Sequence, residues 1–400
     1  MKILTFTTLY PNRMQPLLGV FIRERIRHMS NLCEVRVVAP VILPPPKEGW
    51  IDDTKKCWRN ILSIPREEKQ SGLVVYHPRI FHFPKIGVYF SGFYYFLYTY
   101  FTILRIKKEY AFDIIDAHWA YPDGLAAVIV GKMLGIPVVI SCRGSDVNLY
   151  LDLPVLKSLV SFALKQCSGI IAVSESLKDK VQSIGINKEK IEVIANGVDV
   201  NSFYNMPTED IRRKLGVSLN NKTILSIGHL IERKGFHHII DAMDILVNKQ
   251  GVEDLSLIIV GEGVYRTELE KKIKNYSLSN HVDLVGAKNF NEIPMWHNVA
   301  DVFCLASSRE GWPNVLFESL ACGNPVVATD VWGNPEVITS DDYGILVKNQ
   351  TGAGLAEALD KALKKKWDRK KIISYAQDNT WDKVGLKVFN YFTKIISSKE

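Results

Sequence analysis

The 400-residue sequence has six cysteines and no C-x-x-C pair: Cys33, Cys57, Cys142, Cys167, Cys304 and Cys322 lie far apart. That scatter argues against a zinc site and against a disulfide framework and fits a reducing compartment. No D-x-D motif occurs, so no adjacent carboxylate pair is offered to a divalent cation beneath a diphosphate. The dinucleotide fingerprint G-x-G-x-x-G is absent too, which argues against an NAD-dependent enzyme. The apolar run after Met1 and Lys2 is too short for a signal peptide and reads as a strand stopping at Tyr10-Pro11. The longest charge-free stretch is Ile86–Leu104, and its 19 residues include five tyrosines, two glycines, two threonines and a serine. It is too polar for a comfortable membrane span. The spacing suits a buried helix, or an aromatic helix resting among lipid headgroups beside Arg105, Lys107 and Lys108.

What remains is an ordinary globular composition, 47% hydrophobic and 23% charged, in a chain long enough for two or three domains. The net charge of +7 is unevenly placed, because residues 1–100 carry 14 Lys and Arg against 7 Asp and Glu while the rest balances. Such a bias suits an anionic partner, either nucleic acid or a membrane surface.

Short β-rich runs alternate with segments of helical period, the pattern of parallel sheets covered by helices. The first half offers strands at Lys2–Thr7, Val35–Ala39, Ile114–Ala117, Val138–Ser141, Ile170–Val173 and Ile191–Ile194, with helices such as Gly19–Leu32, Gly124–Leu134 and Val155–Cys167. The stretch Lys47–Gln70, behind Pro44-Pro45-Pro46, reads as an irregular surface excursion. A second series follows at Thr223–Ile227, Leu255–Val260, Val282–Leu284, Val302–Leu305 and Val326–Thr329, with helices from Phe236, Thr267, Asn291, Asn314 and Leu355. Two doubly wound domains are expected, joined near Asn196-Gly197-Val198-Asp199, with ligands at the carboxyl edges of their strands.

Three segments of the second half read as one phosphate site. Gly228-His229-Leu230-Ile231-Glu232-Arg233-Lys234-Gly235 follows a strand and places an ammonium at a helix start, although a solvated lysine is the commoner meaning. Gly261-Glu262-Gly263 is either a tight turn or a close approach to ligand. In Glu310-Gly311-Trp312-Pro313-Asn314-Val315-Leu316-Phe317-Glu318, Pro313 favours a first helical turn. The amides of Asn314, Val315 and Leu316 then become unpaired donors suited to a diphosphate.

That string, continuing through Ala321, Gly323 and Pro325-Val326-Val327-Ala328, resembles the E-x7-E signature of family 4 retaining glycosyltransferases. Lys234-Gly235, Val260-Gly261, Pro335-Glu336-Val337-Ile338, Ile194-x-Asn196-Gly197-Val198-Asp199 and Thr380-Trp381 fit the same pattern. Leu9-Tyr10-Pro11-Asn12 and Gly19-Val20-Phe21 are similar to enzymes of teichuronic-acid and other bacterial surface-polysaccharide pathways. The resemblance implies a GT-B fold: an acceptor-binding Rossmann-like domain over 1–200, joined by residues 378–400 crossing back, and a nucleotide-sugar-binding one over 201–377, facing each other across a cleft.

It also implies roles. Lys234 would hold the diphosphate, Glu318 the ribose hydroxyls and Glu310 the transferred sugar, with Gly228, Gly261, Gly311 and the amides of Asn314, Val315 and Leu316 around the donor. His118 matches the family's first-domain histidine near the donor sugar, and Gly19, Arg143, Gly144 and Asp146 fall on the acceptor side. Two positions depart from the pattern. His229 stands where arginine is common, so His229 or Arg233 would have to serve the diphosphate; Arg143 stands where histidine is common, to compensate, to read an anionic acceptor, or to pair with Asp146. Retention of anomeric configuration, no metal and no cofactor beyond the donor substrate are implied. A nucleotide-sugar 2-epimerase of the same fold and a non-catalytic sugar-nucleotide-binding subunit are the alternatives. With the donor in the balanced half, the basic first hundred residues are left for a lipid-linked or glycan acceptor. Arg23, Arg25 and Arg27 and the tyrosine-rich stretch would then face an anionic bilayer, on the inner side of the plasma membrane, and nucleic acid is not needed.

Overall fold

The computed structural model describes residues 1–43, 51–81 and 87–398, with the backbone alone for 51–56. The chain divides into one unit of Met1–Asn196 with Trp381–Glu400 and another of Gly197–Thr380. Both boundaries fall a few residues from those expected. Val198 bridges to Thr380, and its amide donates to the Asn379 carbonyl at 2.9 Å, which ties both connecting segments into the second unit.

In the first unit eight of the described strands form one sheet, and Val41–Leu43 pairs with Arg79–Phe81 in a separate two-stranded one. The order of the larger sheet is Ile191–Val193, Gly169–Ala172, Val138–Cys142, Ile114–His118, Lys2–Phe6, Glu34–Val38, Leu73–Tyr76, Glu67–Gln70. All neighbours are parallel except the last pair. The central strands are buried on both faces, which is why Val138–Cys142 and Gly169–Ala172 read as nearly continuous apolar runs, while Ile114–His118 carries Asp116 and His118 into the interior. The strand order reverses between Lys2–Phe6 and Ile114–His118, so a crevice opens at their carboxyl ends. The last helix, Trp381–Ser397, returns to this unit and packs Val388 and Phe392 among Ile22, Ile26, Val37 and Val139. Its Gly385 lets it approach the Val20–Met29 helix, since a Cβ there would stand 3.3 Å from the Met29 nitrogen.

Two expectations are corrected here. Lys47–Gln70 is not irregular: the part described forms a helix, Ile51–Leu62, and an edge strand, Glu67–Gln70, while Pro44–Trp50 lies outside the described residues. The Trp58 ring packs on Phe81 at 5.4 Å, and Ser71-Gly72, both at positive φ, close the hairpin from Glu67–Gln70 to Leu73–Tyr76. Arg25 does not face outward. It lies in the apolar stripe of its helix with Ile22, Ile26 and Met29, only 1% exposed, and Arg23 and Arg27 both pair with Glu24. The tyrosine-rich stretch, apart from Ile86, which lies outside the described residues, is a helix over Gly87–Glu109 that buries its small and polar side. Ser91, Gly92 and Thr99 face inward, whereas Phe90, Phe93, Leu97 and Phe101 are 47–78% exposed. Among the described residues no helix is long and apolar enough to cross a membrane.

The second unit carries a six-stranded, fully parallel sheet. Its order is Val282–Gly286, Leu255–Val260, Lys222–Ile227, Val302–Leu305, Val326–Thr329, Gly344–Val347, the last of which was not anticipated. Here the order reverses between Lys222–Ile227 and Val302–Leu305, and the loops that leave these two strands carry Lys234 and Glu310.

Candidate active site

The second-unit site is built by backbone contacts that only glycine allows. At Gly261, with φ of +152°, a Cβ would sit 1.9 Å from the Gly228 carbonyl oxygen, and at Gly235, with φ of +70°, one would sit 1.9 Å from that of Ala306. The loops after Leu255–Val260 and Val302–Leu305 are thereby pressed against the loop after Lys222–Ile227. The turn reading accounts for Gly261 and Gly263 without a ligand, because Gly263 lies against Leu230 in the same way.

Lys234 ends a short helical turn, Glu232–Lys234, and its Nζ donates to Glu310 Oε1 at 2.5 Å. The Arg233 guanidinium donates to the Arg309 carbonyl at 3.1 Å and lies 3.9 Å from the same Glu310 oxygen. The two charges expected to share a donor thus hold each other instead, both mostly buried. Gly333 packs on Gly311, a Cβ there being 2.5 Å from the Gly311 oxygen, and its amide donates to the Glu310 carbonyl at 3.2 Å, which fixes the loop. His229 is exposed at the rim.

The helix Asn314–Ala321 starts one residue after Pro313, which caps rather than enters it. The expected row of open donors is corrected: the Asn314 and Leu316 amides donate to the Trp312 and Pro313 carbonyls at 3.2 and 3.0 Å. Glu318 is the fifth residue of this helix, while Glu310 stands in the loop before it, and beside Glu318 lies a histidine the sequence did not single out. His297 Nε2 is 3.7 Å from Glu318 Oε2, and neither ring nitrogen of this fully buried imidazole has a hydrogen-bond partner.

In the first unit a chain of buried charges runs to the strand end. Asp116 and His118, two apart on one strand, share a face. The Arg25 guanidinium donates to both Asp116 oxygens at 2.7 Å and to Ser141 Oγ at 2.9 Å. His118 Nε2 lies 3.1 Å from Asp116 Oδ2, and Arg143 Nη2 lies 2.6 Å from His118 Nδ1. A guanidinium can only donate, so Nδ1 accepts and the proton sits on Nε2, donated to Asp116. Burial opposes ionisation of Asp116, but Arg25 and His118 outweigh it and hold its carboxyl below the usual range. Burial, with the Arg25 and Arg143 cations, takes His118 down to about 3 against the pull of Asp116, so the ring is neutral. The sequence did not single out Asp116, and it set Arg25 on the membrane-facing surface rather than in this chain of charges. The available signal was a charge in the apolar stripe of the Val20–Met29 helix.

Arg143 is also bound to Asn196 Oδ1 at 2.9 Å and lies over the Phe21 ring at 5.5 Å. Its side chain does not pair with Asp146. That carboxylate instead takes the amides of Arg143 and Gly144 at 2.9 and 2.8 Å and of Ala120 at 2.8 Å, ordering the loop. Gly19 heads the Val20–Met29 helix with φ of +64°, where a Cβ would stand 2.2 Å from the Leu9 oxygen. Asp123, also missed, is fully buried and accepts from the Thr8 amide and hydroxyl at 3.0 and 2.9 Å, while its Oδ1 has no partner. Burial pushes its carboxyl up to about 7.

Two family models cover the chain almost end to end: Glycosyltransferase Family 4 over residues 18–202 and Glycosyl transferases group 1 over 207–379. A Bacillus subtilis protein named as a teichuronic acid biosynthesis glycosyltransferase is 28% identical over 90% of this chain and 88% of its own. The alpha-monoglucosyldiacylglycerol synthase of Streptococcus pneumoniae is 28% identical over 64% of this chain and 61% of its own. Among solved structures, HepE of Anabaena in complex with UDP superposes with a TM-score of 0.72 at 20% identity, over 98% of this chain and all of that one, which establishes the GT-B fold.

Proposed function

Because the chain belongs to the group 1, family 4 glycosyltransferases and is therefore a transferase of surface polysaccharide or glycolipid biosynthesis, we propose that it moves a hexosyl group from a nucleotide-diphosphate sugar to a glycan or lipid-linked acceptor, with retention and without a metal. The observation that carries this reading is the Lys234–Glu310 pair at the strand-order reversal of the second unit. A diphosphate arriving there competes for the Lys234 ammonium and frees the Glu310 carboxylate for sugar hydroxyls. Glu318 takes the ribose hydroxyls, with His297 behind it. Lys234, Arg233 and the start of the Asn314–Ala321 helix stabilise the charge that builds on the leaving phosphate.

In the first unit His118 is a positioning residue, since both of its nitrogens are engaged. It holds Arg143, the fixed cation offered to an anionic acceptor. The C1–O bond to phosphate breaks as the acceptor oxygen bonds to C1 on the same face, and the acceptor proton passes to a leaving phosphate oxygen. The exposed aromatic face of the Gly87–Glu109 helix, with Arg105 and Lys108 near its end, rests on an anionic bilayer at the cytoplasmic side.

The test is the configuration of the first-formed product, read by proton NMR, with EDTA present. An α-configured donor gives an α-linked product at an undiminished rate. A β-linked product, or turnover lost in EDTA and restored by magnesium, overturns the mechanism.

A further inference from the structure

The first unit contains a cavity of about 690 Å³ that the chemistry above leaves unused. Its size is that of pockets enclosing small organic ligands, roughly 300–1,000 Å³. The walls are mostly hydrocarbon, with Leu18, Val41, Ile61, Tyr95, Trp119 and Tyr121 among them, and among the described residues no charged side chain lines it. The polar side chains present are largely committed. Thr8 Oγ1 donates to Asp123, Ser91 Oγ to the Gly87 carbonyl, and Asn12 Oδ1 accepts the Met14 and Gln15 amides. A polyhydroxylated ring placed here would lose its water without gaining partners.

One end differs. Trp119 Nε1 and Asp123 Oδ1 are buried and unpartnered, and both belong to the segment that follows His118. Trp119 itself has φ of +81°, a conformation costly for a bulky residue, held by its amide on the Ser141 carbonyl at 3.0 Å and by Gly124 N on its own carbonyl at 2.8 Å. Of these two residues Trp119 lines the cavity and directly follows His118 in the chain, so an unspent donor belongs to that part of the wall, and the remaining lining is mostly hydrocarbon. The side wall is the first turns of the Gly87–Glu109 helix, where Val88 lines the cavity while itself 39% exposed, next to Phe90 and Phe93 on the outer aromatic face.

We propose that this cavity takes the apolar chain of an amphiphilic acceptor, with the acceptor's polar head toward Trp119, the residue that follows His118. The assignment rests on the transferase reading and narrows its acceptor to molecules with a hydrocarbon chain. The chain enters from a membrane or from dispersed amphiphile along the aromatic face of the helix.

Cys57 provides the test, because it lines the cavity and is the one exposed thiol of the six cysteines. Its rate of modification by a water-soluble disulfide reagent is measured with butyl, octyl or dodecyl phosphate below their micelle concentrations, and with inorganic phosphate and methyl glucoside. Octyl and dodecyl phosphate slow the reaction, with apparent affinity rising about fourfold per methylene until the cavity is full. Inorganic phosphate and methyl glucoside leave it unchanged. Dodecyl phosphate presented in phosphatidylcholine vesicles protects as well if the membrane is the source, and only the dispersed form protects if it is not. Ile61→Asp removes the dependence on chain length while nucleoside diphosphate still binds, which shows that the variant is folded. Equal reactivity with every alkyl phosphate, or protection by methyl glucoside, overturns the assignment. Protection requires no turnover, so an enzyme that transfers sugar but shows no protection loses only the cavity assignment, and a protein that shows protection but transfers from no donor loses only the transferase reading.

Discussion

Glu310→Gln lowers acceptor-dependent turnover by about two to three orders of magnitude, the loss typical of removing one electrostatic group aimed at a transition state. Glutamine keeps the volume and can still accept from Lys234, so the fold is retained. What is lost is the negative charge that now neutralises Lys234 at 2.5 Å. The sign of the binding effect distinguishes this account from a merely structural one. With its competitor gone, Lys234 is freer for a diphosphate, so nucleoside diphosphate binds the variant at least as tightly as the wild type while kcat falls. Near-full kcat removes Glu310 from the chemistry, and a parallel loss of nucleotide affinity and melting temperature makes it a structural residue.

The second large effect is on stability. Arg25→Met costs about 3–5 kcal/mol at neutral pH, as breaking a buried ion pair does when one charge is left without its partner. Asp116 is fully buried and takes both of its short contacts from this guanidinium. The pH dependence follows from linkage. In the wild type the Asp116 carboxyl titrates below its unfolded range, so the stability it confers is present above that range and lost as pH falls through it. Without Arg25, burial raises the same carboxyl, which then protonates in mild acid and sheds its desolvation cost. The gap in unfolding free energy between wild type and variant therefore narrows as pH falls from 7 toward the carboxylate range. A loss under about 1 kcal/mol at pH 7, or a gap that widens in acid, contradicts the buried-pair account.

How much of this could be read from the sequence depended on whether the signal was local. The bounds of Leu255–Val260, Val302–Leu305 and Val326–Thr329 agree to the residue, because strands covered on both faces are nearly continuous apolar runs with polar ends. Ile51–Leu62 was missed because its apolar positions are thin among charges and its packing on Phe81 comes from a distant strand. Gly344–Val347 is only four residues long and follows a turn, with little to distinguish it from loop. In the site, the residue types were legible and their pairing was not. Lys234 and Glu310 are 76 positions apart, and only the crossing of two loops on glycine backbones puts one on the other. The tautomer of His118 depends on Arg25, Asp116 and Arg143, brought together from a helix and two strand ends. Net charge by position in the chain puts Arg25 at the surface, whereas its place on the apolar face of its helix puts it in the core.

The central claim is acceptor-dependent sugar transfer at the Lys234–Glu310 site. It is tested most directly by incubating the protein with a panel of nucleotide sugars, with and without membrane extract, and following nucleotide release together with label entering the acceptor fraction. Release is expected with at least one donor, rising severalfold when acceptor is added, matched by incorporated sugar and abolished in Lys234→Ala. Epimerised donor without net nucleotide release, or release that is the same with and without acceptor, would contradict that claim.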